Sequence, residues 1–116
     1  MLEKVARITM LYDFYGQLLT DRQRDFVEFY YGQNLSLGEI AGEFNVTRQS
    51  VHDTLKRAEQ LLAHYEEKLG LVARYRAERE KLVAAAGLLD ECSSTVEDDR
   101  VQRVKEILYE FLETGD

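Results

Sequence analysis

The sequence predicts an all-α protein: a helical bundle with a helix-turn-helix, a long following helix and a C-terminal amphipathic helix. Three observations carry this. Apolar residues recur every three or four positions along most of the 116 residues. No segment alternates apolar and polar residues as a half-buried strand does. Proline is absent, so no helix is stopped in the way a proline would stop it.

The elements follow in order. Residues 1–19 place Val5, Ile8, Tyr12, Tyr15 and Leu19 on one helical stripe, widened by Leu11 and Leu18. Thr20 and Gln23 then fit a capping box, in which hydroxyl and amide each satisfy the other residue's backbone N–H. Gly32 is expected to end that second helix in the left-handed conformation. Ser36 and Glu39 form a second capping box at the start of "SLGEIAGEF". A turn is expected at Asn45-Val46, where Asn45 tolerates a positive φ and Val46 tucks inward. Thr47 is a natural N-cap for the helix after it.

That helix carries Val51, Leu55, Ala58, Leu62, Tyr65 and Leu69, a seam equally suited to its own core or to a partner helix. Gly70 is expected to bend or break the chain. "LVARYRAEREKLVAAAGLL" resumes a helix through Leu71, Tyr75, Leu82 and Leu89. "DECSSTVEDD" reads as a linker, polar and without period. A last amphipathic helix then sets Val101, Val104, Leu108, Phe111 and Leu112 on one side. The expected division is a helical domain over 1–89 and an acidic linker plus helix over 90–116, free to pack on it.

Two short helices joined by a tight turn make residues Ser36 to Arg57 a helix-turn-helix. The small Ala41 lets the second helix cross closely, and Val51 and Leu55 anchor it from below. Its opposite face offers Arg48, Gln49, Ser50, His52, Asp53, Lys56 and Arg57 to a partner. In a DNA reader these positions meet base edges and phosphates.

Charge weighs on that reading. The formal net charge is −7. Residues 1–86 hold 12 basic and 13 acidic side chains, a net of −1, and residues 87–116 hold 3 and 9, a net of −6. Acidity therefore belongs to the tail. Even so, Arg48, Lys56 and Arg57 are balanced within the motif by Glu39, Glu43 and Asp53. Non-specific affinity grows with the number of phosphates neutralised, so this is a thin footprint for a duplex.

The remaining features are plainer. Cys92 is the lone cysteine, which excludes a disulfide framework and fits a reducing compartment. No run of about 18 apolar residues suggests a membrane span, and the first residues lack the apolar core of a signal peptide. A cytoplasmic protein without membrane insertion is expected. His52 and His64 stand about 18 Å apart by helical rise, too far to share a metal. With no phosphate-binding glycine loop, metal-ligand spacing or nucleophile elbow, neither an enzyme nor a cofactor is expected. Tyr12, Phe14, Tyr15, Phe26, Phe29, Tyr30, Tyr31 and Phe44 could stack on RNA bases, but core packing or a subunit contact suits large aromatics better. Tyr30 and Tyr31, being adjacent, are not expected to share one helix face, which points to a homodimer. The basic patch "ARYRAEREKL" alternates in sign as a solvated helix does.

The stretches "YDFY", "SLGEIA" and "RQSVHD" resemble the bacterial YlxM family, most closely over residues 1–70. More loosely, the helix-turn-helix resembles region 4 of sigma factors. This resemblance implies a helical fold with a sigma-like helix-turn-helix. It also implies a regulatory role in the signal recognition particle pathway, with the particle's GTPase subunit, its RNA or both as partner. The alternative is a DNA-binding transcriptional regulator. A further possibility weighed is a dimer using the motif only as scaffold.

Overall fold

A computed structural model describes residues 2–93, 95 and 97–114. Met1, Ser94, Val96, Gly115 and Asp116, which the expected first helix, linker and tail include, lie outside them. The elements are α1 (Leu2–Tyr15), a 3-10 turn (Gly16–Leu18), α2 (Asp21–Val27), a π-helical turn (Glu28–Gly32), α3 (Leu37–Phe44), α4 (Arg48–Leu69), α5 (Leu71–Ser93) and α6 (Asp99–Thr114). No strand occurs among the described residues. The chain forms two compact units, Met1–Val72 and Ala73–Asp116. The boundary thus falls in the first turn of α5, whereas sequence composition marks a change only near residue 90.

In the first unit the apolar stripes of α1 to α4 converge. Leu11, Tyr15, Phe26, Ile40, Val51, Ala58 and Leu62 are fully buried. Val72, at the start of α5, closes the same core. The seam of α4 is spent inside its own unit from Val51 to Leu62, leaving Leu69 exposed. The aromatics are core residues too: Phe44 meets Phe26 and Phe29 edge-on at 5.0 and 5.6 Å. Such edge-on pairs suit the charge distribution of the rings.

Both capping boxes form as the sequence predicts. Thr20 N–H donates to Gln23 Oε1 at 3.0 Å and Gln23 N–H to Thr20 Oγ1 at 3.2 Å. Ser36 N–H donates to Glu39 Oε1 at 3.0 Å and Glu39 N–H to Ser36 Oγ at 3.1 Å. At the α3–α4 turn, Asn45 is left-handed (φ 55°) and Val46 N–H donates back to Ala41 O at 3.0 Å. That backward bond satisfies a carbonyl the helix end would orphan. Gly70 ends α4 with φ 63°.

Three expectations change. Gly32 does not end its helix in the left-handed region; Asn34 does, with φ 57°. The cause is the π-helical turn: Gln33 N–H reaches Glu28 O and Leu35 N–H reaches Phe29 O, each at 3.0 Å. Such a turn takes up extra residues and moves the stop downstream. The wider turn also lets Tyr30 and Tyr31 both rest half-buried on this unit's core, edge to face at 5.0 Å. The argument from adjacent tyrosines to a dimer therefore lapses. Finally, Asp90, Glu91 and Cys92 belong to the last turn of α5, not to a linker.

In the second unit Ala86 and Leu112 are buried, and Tyr75, Leu82, Leu89, Val101 and Leu108 are half-buried. Val104 and Phe111, expected on the apolar side of α6, are exposed instead. Polar links hold the helices: Arg79 Nη1 donates to Leu112 O at 3.0 Å, Lys105 Nζ lies 2.9 Å from Asp90, and Tyr109 donates to the same carboxylate. These bonds hold the Asp90 carboxyl below its ordinary range, the Tyr109 hydroxyl contributing most.

Candidate functional site

The α3–α4 motif supplies the candidate surface. Ile40 and Ala41 of α3 and Val51 and Leu55 of α4 are buried. Their burial fixes which side of α4 faces outward. Arg48, Gln49, Ser50, His52, Asp53, Lys56 and Arg57 are all exposed there. Thr47 Oγ1 accepts Ser50 N–H at 3.0 Å, so Ser50 gives its backbone to the cap. That bond satisfies one of the free N–H groups that open every helix.

Several of these side chains are committed within the chain. Asp53 Oδ1 accepts Gln49 Nε2 at 2.8 Å, and His52 Nδ1 lies 3.4 Å from the same oxygen. The acid thus occupies two side chains suited to reading base edges. Asp53 and Arg57 stand four residues apart, the spacing of an intrahelical ion pair, but among the described residues they form none. Arg48 lies back over Gly38: a Cβ there would meet its guanidinium at 3.0–3.2 Å. Beside the Ser36 cap, the Glu39 carboxyl is held below its usual range by hydrogen bonds from Ser36, first from its backbone and then from its hydroxyl.

The exposed ridge of α4 has a hollow on each flank. One, of about 190 Å³, includes Lys4, Tyr30, Tyr31, His52, Lys56 and Glu59 in its lining. Here Glu59 takes both Lys4 Nζ at 3.1 Å and the Tyr31 hydroxyl at 2.8 Å. Burial, and then that bond, raise the Tyr31 hydroxyl far above its ordinary value. The other hollow, of about 410 Å³, is lined by Thr20, Arg22, Gln23, Asp53, Thr54 and Arg57. Arg22 sits over the Phe26 and Phe44 rings at 5.5 and 5.2 Å.

Arg22, Thr20 and Lys4 were not among the sequence-derived contact residues. Arg22 had a legible signal: an arginine four positions before Phe26, the spacing that lets one helical side chain lie over another. Lys4 had none, because only the fold brings α1 beside α4. His52 and His64 are both exposed, and no group of three His, Cys, Asp or Glu among the described residues is placed to hold a metal. No helix in the described residues is long and apolar enough to cross a membrane.

Comparison with known proteins agrees with this architecture. Residues 2–107 match the family model UPF0122, described as "Putative helix-turn-helix protein, YlxM / p13 like". A UPF0122 protein of Desulforamulus reducens is 52% identical over 112 residues, covering 97% of this chain and 96% of the relative. UPF0122 proteins of Bacillus cereus and Bacillus anthracis are each 47% identical over 107 residues, covering 92% of this chain and 96% of theirs. With its two capped helices, its Asn45 turn and this match along nearly its whole length, the chain belongs to the YlxM/p13-like helix-turn-helix family, UPF0122.

Proposed function

We propose that this protein is a non-enzymatic regulatory protein of the signal recognition particle pathway. It acts in the cytoplasm by binding the particle's GTPase, its RNA or both through the exposed side of α4. The pathway comes from the family resemblance. The mode of binding rests on one observation: Asp53 stands in the middle of that exposed side, bonded to Gln49 and near His52. A carboxylate at the centre opposes the approach of a duplex, whose charge dominates its affinity for proteins. A protein surface of mixed potential meets it at less cost, and an RNA meets it only where its phosphates pass cations beside that acid.

A DNA-binding regulator is the second reading. It is favoured by the completeness of the motif, in which Ser36, Asn45 and Thr47 all make their bonds. Titration of the purified chain with the particle's GTPase, its RNA and promoter-length duplexes separates the two, with sedimentation reporting the assembly state. Binding to a particle component at physiological salt is expected. Salt-resistant binding to duplex DNA, with neither component bound, would reverse the ranking.

A further inference from the structure

The larger hollow lies between the start of α2 and the flank of α4, and only its α4 wall belongs to the expected contact surface. Two guanidiniums line it, Arg22 from α2 and Arg57 from α4. Among the described residues neither pairs with a carboxylate. Arg22 is held in place by the two aromatic rings beneath it. A cation held this way loses little freedom when it meets an anion, and an arginine's planar fork matches two oxygens of a phosphate.

The hydroxyls add donors. Thr20 Oγ1 accepts Gln23 N–H, which leaves its own O–H free to donate outward. The Thr54 hydroxyl has no partner among the described residues. Gln23 is buried and committed to the cap. The one anion in the walls, Asp53, turns Oδ1 to Gln49 and His52.

We propose that this groove holds the backbone of a nucleic-acid strand, with Arg22 and Arg57 on one phosphodiester and the Thr20 and Thr54 hydroxyls donating to its oxygens. The proposal rests on the function above and deepens it: of the two particle components it selects the RNA. It also reconciles the acidic centre with a polyanion. The strand runs along the flank of α4, where two unpaired cations, Arg22 and Arg57, outnumber the one carboxylate, Asp53. Phosphate contacts of this kind fix register and leave reading to other groups.

The test is a titration of the full chain with a short single-stranded RNA, followed by fluorescence anisotropy from about 50 to about 200 mM salt, over which each phosphate contact weakens measurably. R57Q and R22Q are each expected to lower the slope of log affinity against log salt, and the double variant by about 0.7 in all, the share of one phosphate, or by about 0.9 with a duplex. Arg57 is exposed on α4 and supports no core residue, so R57Q reads the site even where R22Q disturbs the rings. D53N keeps an acceptor for Gln49 and removes the groove's anion; tighter RNA binding is expected. Unchanged slopes in both arginine variants, with RNA still bound, would overturn the site and leave the function standing. Failure to bind RNA while the GTPase binds would overturn the site and leave the protein arm of the function. Failure to bind either would overturn both. Inorganic phosphate is expected to compete no better than chloride at equal ionic strength. Stronger competition would make this a free-phosphate site, and an acidic peptide bound in preference to RNA would make it a protein site; either overturns the strand.

Discussion

The Tyr15 hydroxyl donates to Glu66 Oε1 at 2.6 Å, joining the end of α1 to the last turn of α4. The same two groups receive the start of α5: Leu71 N–H donates to the Tyr15 oxygen at 3.1 Å, and Val72 N–H to Glu66 Oε1 at 3.0 Å. Opening N–H groups of a helix have no partner within it. Here a tyrosine and a glutamate from elsewhere serve as the cap that the sequence after Gly70 lacks. Y15F leaves Leu71 N–H without its acceptor in a partly buried place. The expected loss is about 1–3 kcal/mol, the cost of an unmet buried donor. Urea denaturation checks it: the midpoint falls and the slope stays constant.

Three tyrosines share a pattern with a consequence for alkaline stability. Tyr12, Tyr15 and Tyr31 each donate to a carboxylate, of Glu28, Glu66 and Glu59. Burial first, and then those bonds, raise all three above their ordinary 10.0, Tyr12 to about 12. A raised value means the folded state resists losing the proton. For Tyr12 the stabilisation is complete below pH 10.0 and is lost as pH rises through about 12; for Tyr15 and Tyr31 it is likewise present below 10.0 and lost as pH rises above it. Phenolate absorbance is expected to show these tyrosines ionising late, together with the loss of helical circular dichroism. A late fraction unchanged in Y12F and Y31F would count against the assignment.

Asn45 tests the turn. Its φ of 55° is costly for most residues and tolerable for asparagine. N45A is expected to destabilise by about 1 kcal/mol, and N45G to be neutral or slightly stabilising. Thermal melts of the pair decide it; equal losses would show that the side chain of Asn45, not its backbone, matters.

Gly38 tests whether Arg48 contributes to binding. A Cβ at Gly38 would displace the Arg48 guanidinium, the far end of a flexible side chain. G38A is therefore expected to leave the melting point near wild type or raise it, since alanine favours helix over glycine by about 1 kcal/mol. Partner affinity is expected to shift by the same sign and similar size in G38A and R48A. A shift in R48A alone would mean that Arg48 does not depend on its resting place.

Much of the fold was legible because its signals are local. Thr20 with Gln23, Ser36 with Glu39, Asn45 and Thr47 each act within a few residues, and all four behave as the spacing requires. Gly32 misled because the chain takes a π-helical turn over Glu28–Gly32, with Tyr30 and Tyr31 both packed on the core, which no short window records. Acidity was mistaken for a linker at Asp90, where Lys105 and Tyr109 stabilise the charge within a helix. The exposed face of α4 was legible from its apolar seam. What was not legible is which of its side chains are already occupied, and that α1 and α2 bring Lys4 and Arg22 to its flanks.

The five-residue turn from Glu28 to Gly32 carries a last consequence. It behaves as a stored extra link, taken up where the chain could have wound regularly. Cutting out one residue there would tighten the coil and swing the Tyr31 ring off Glu59, leaving Lys4 as that acid's remaining partner among the described residues. Length variation at this spot among relatives would then reshape one bank of the α4 ridge while sparing the other, a way to change whom the protein meets without rebuilding its interior.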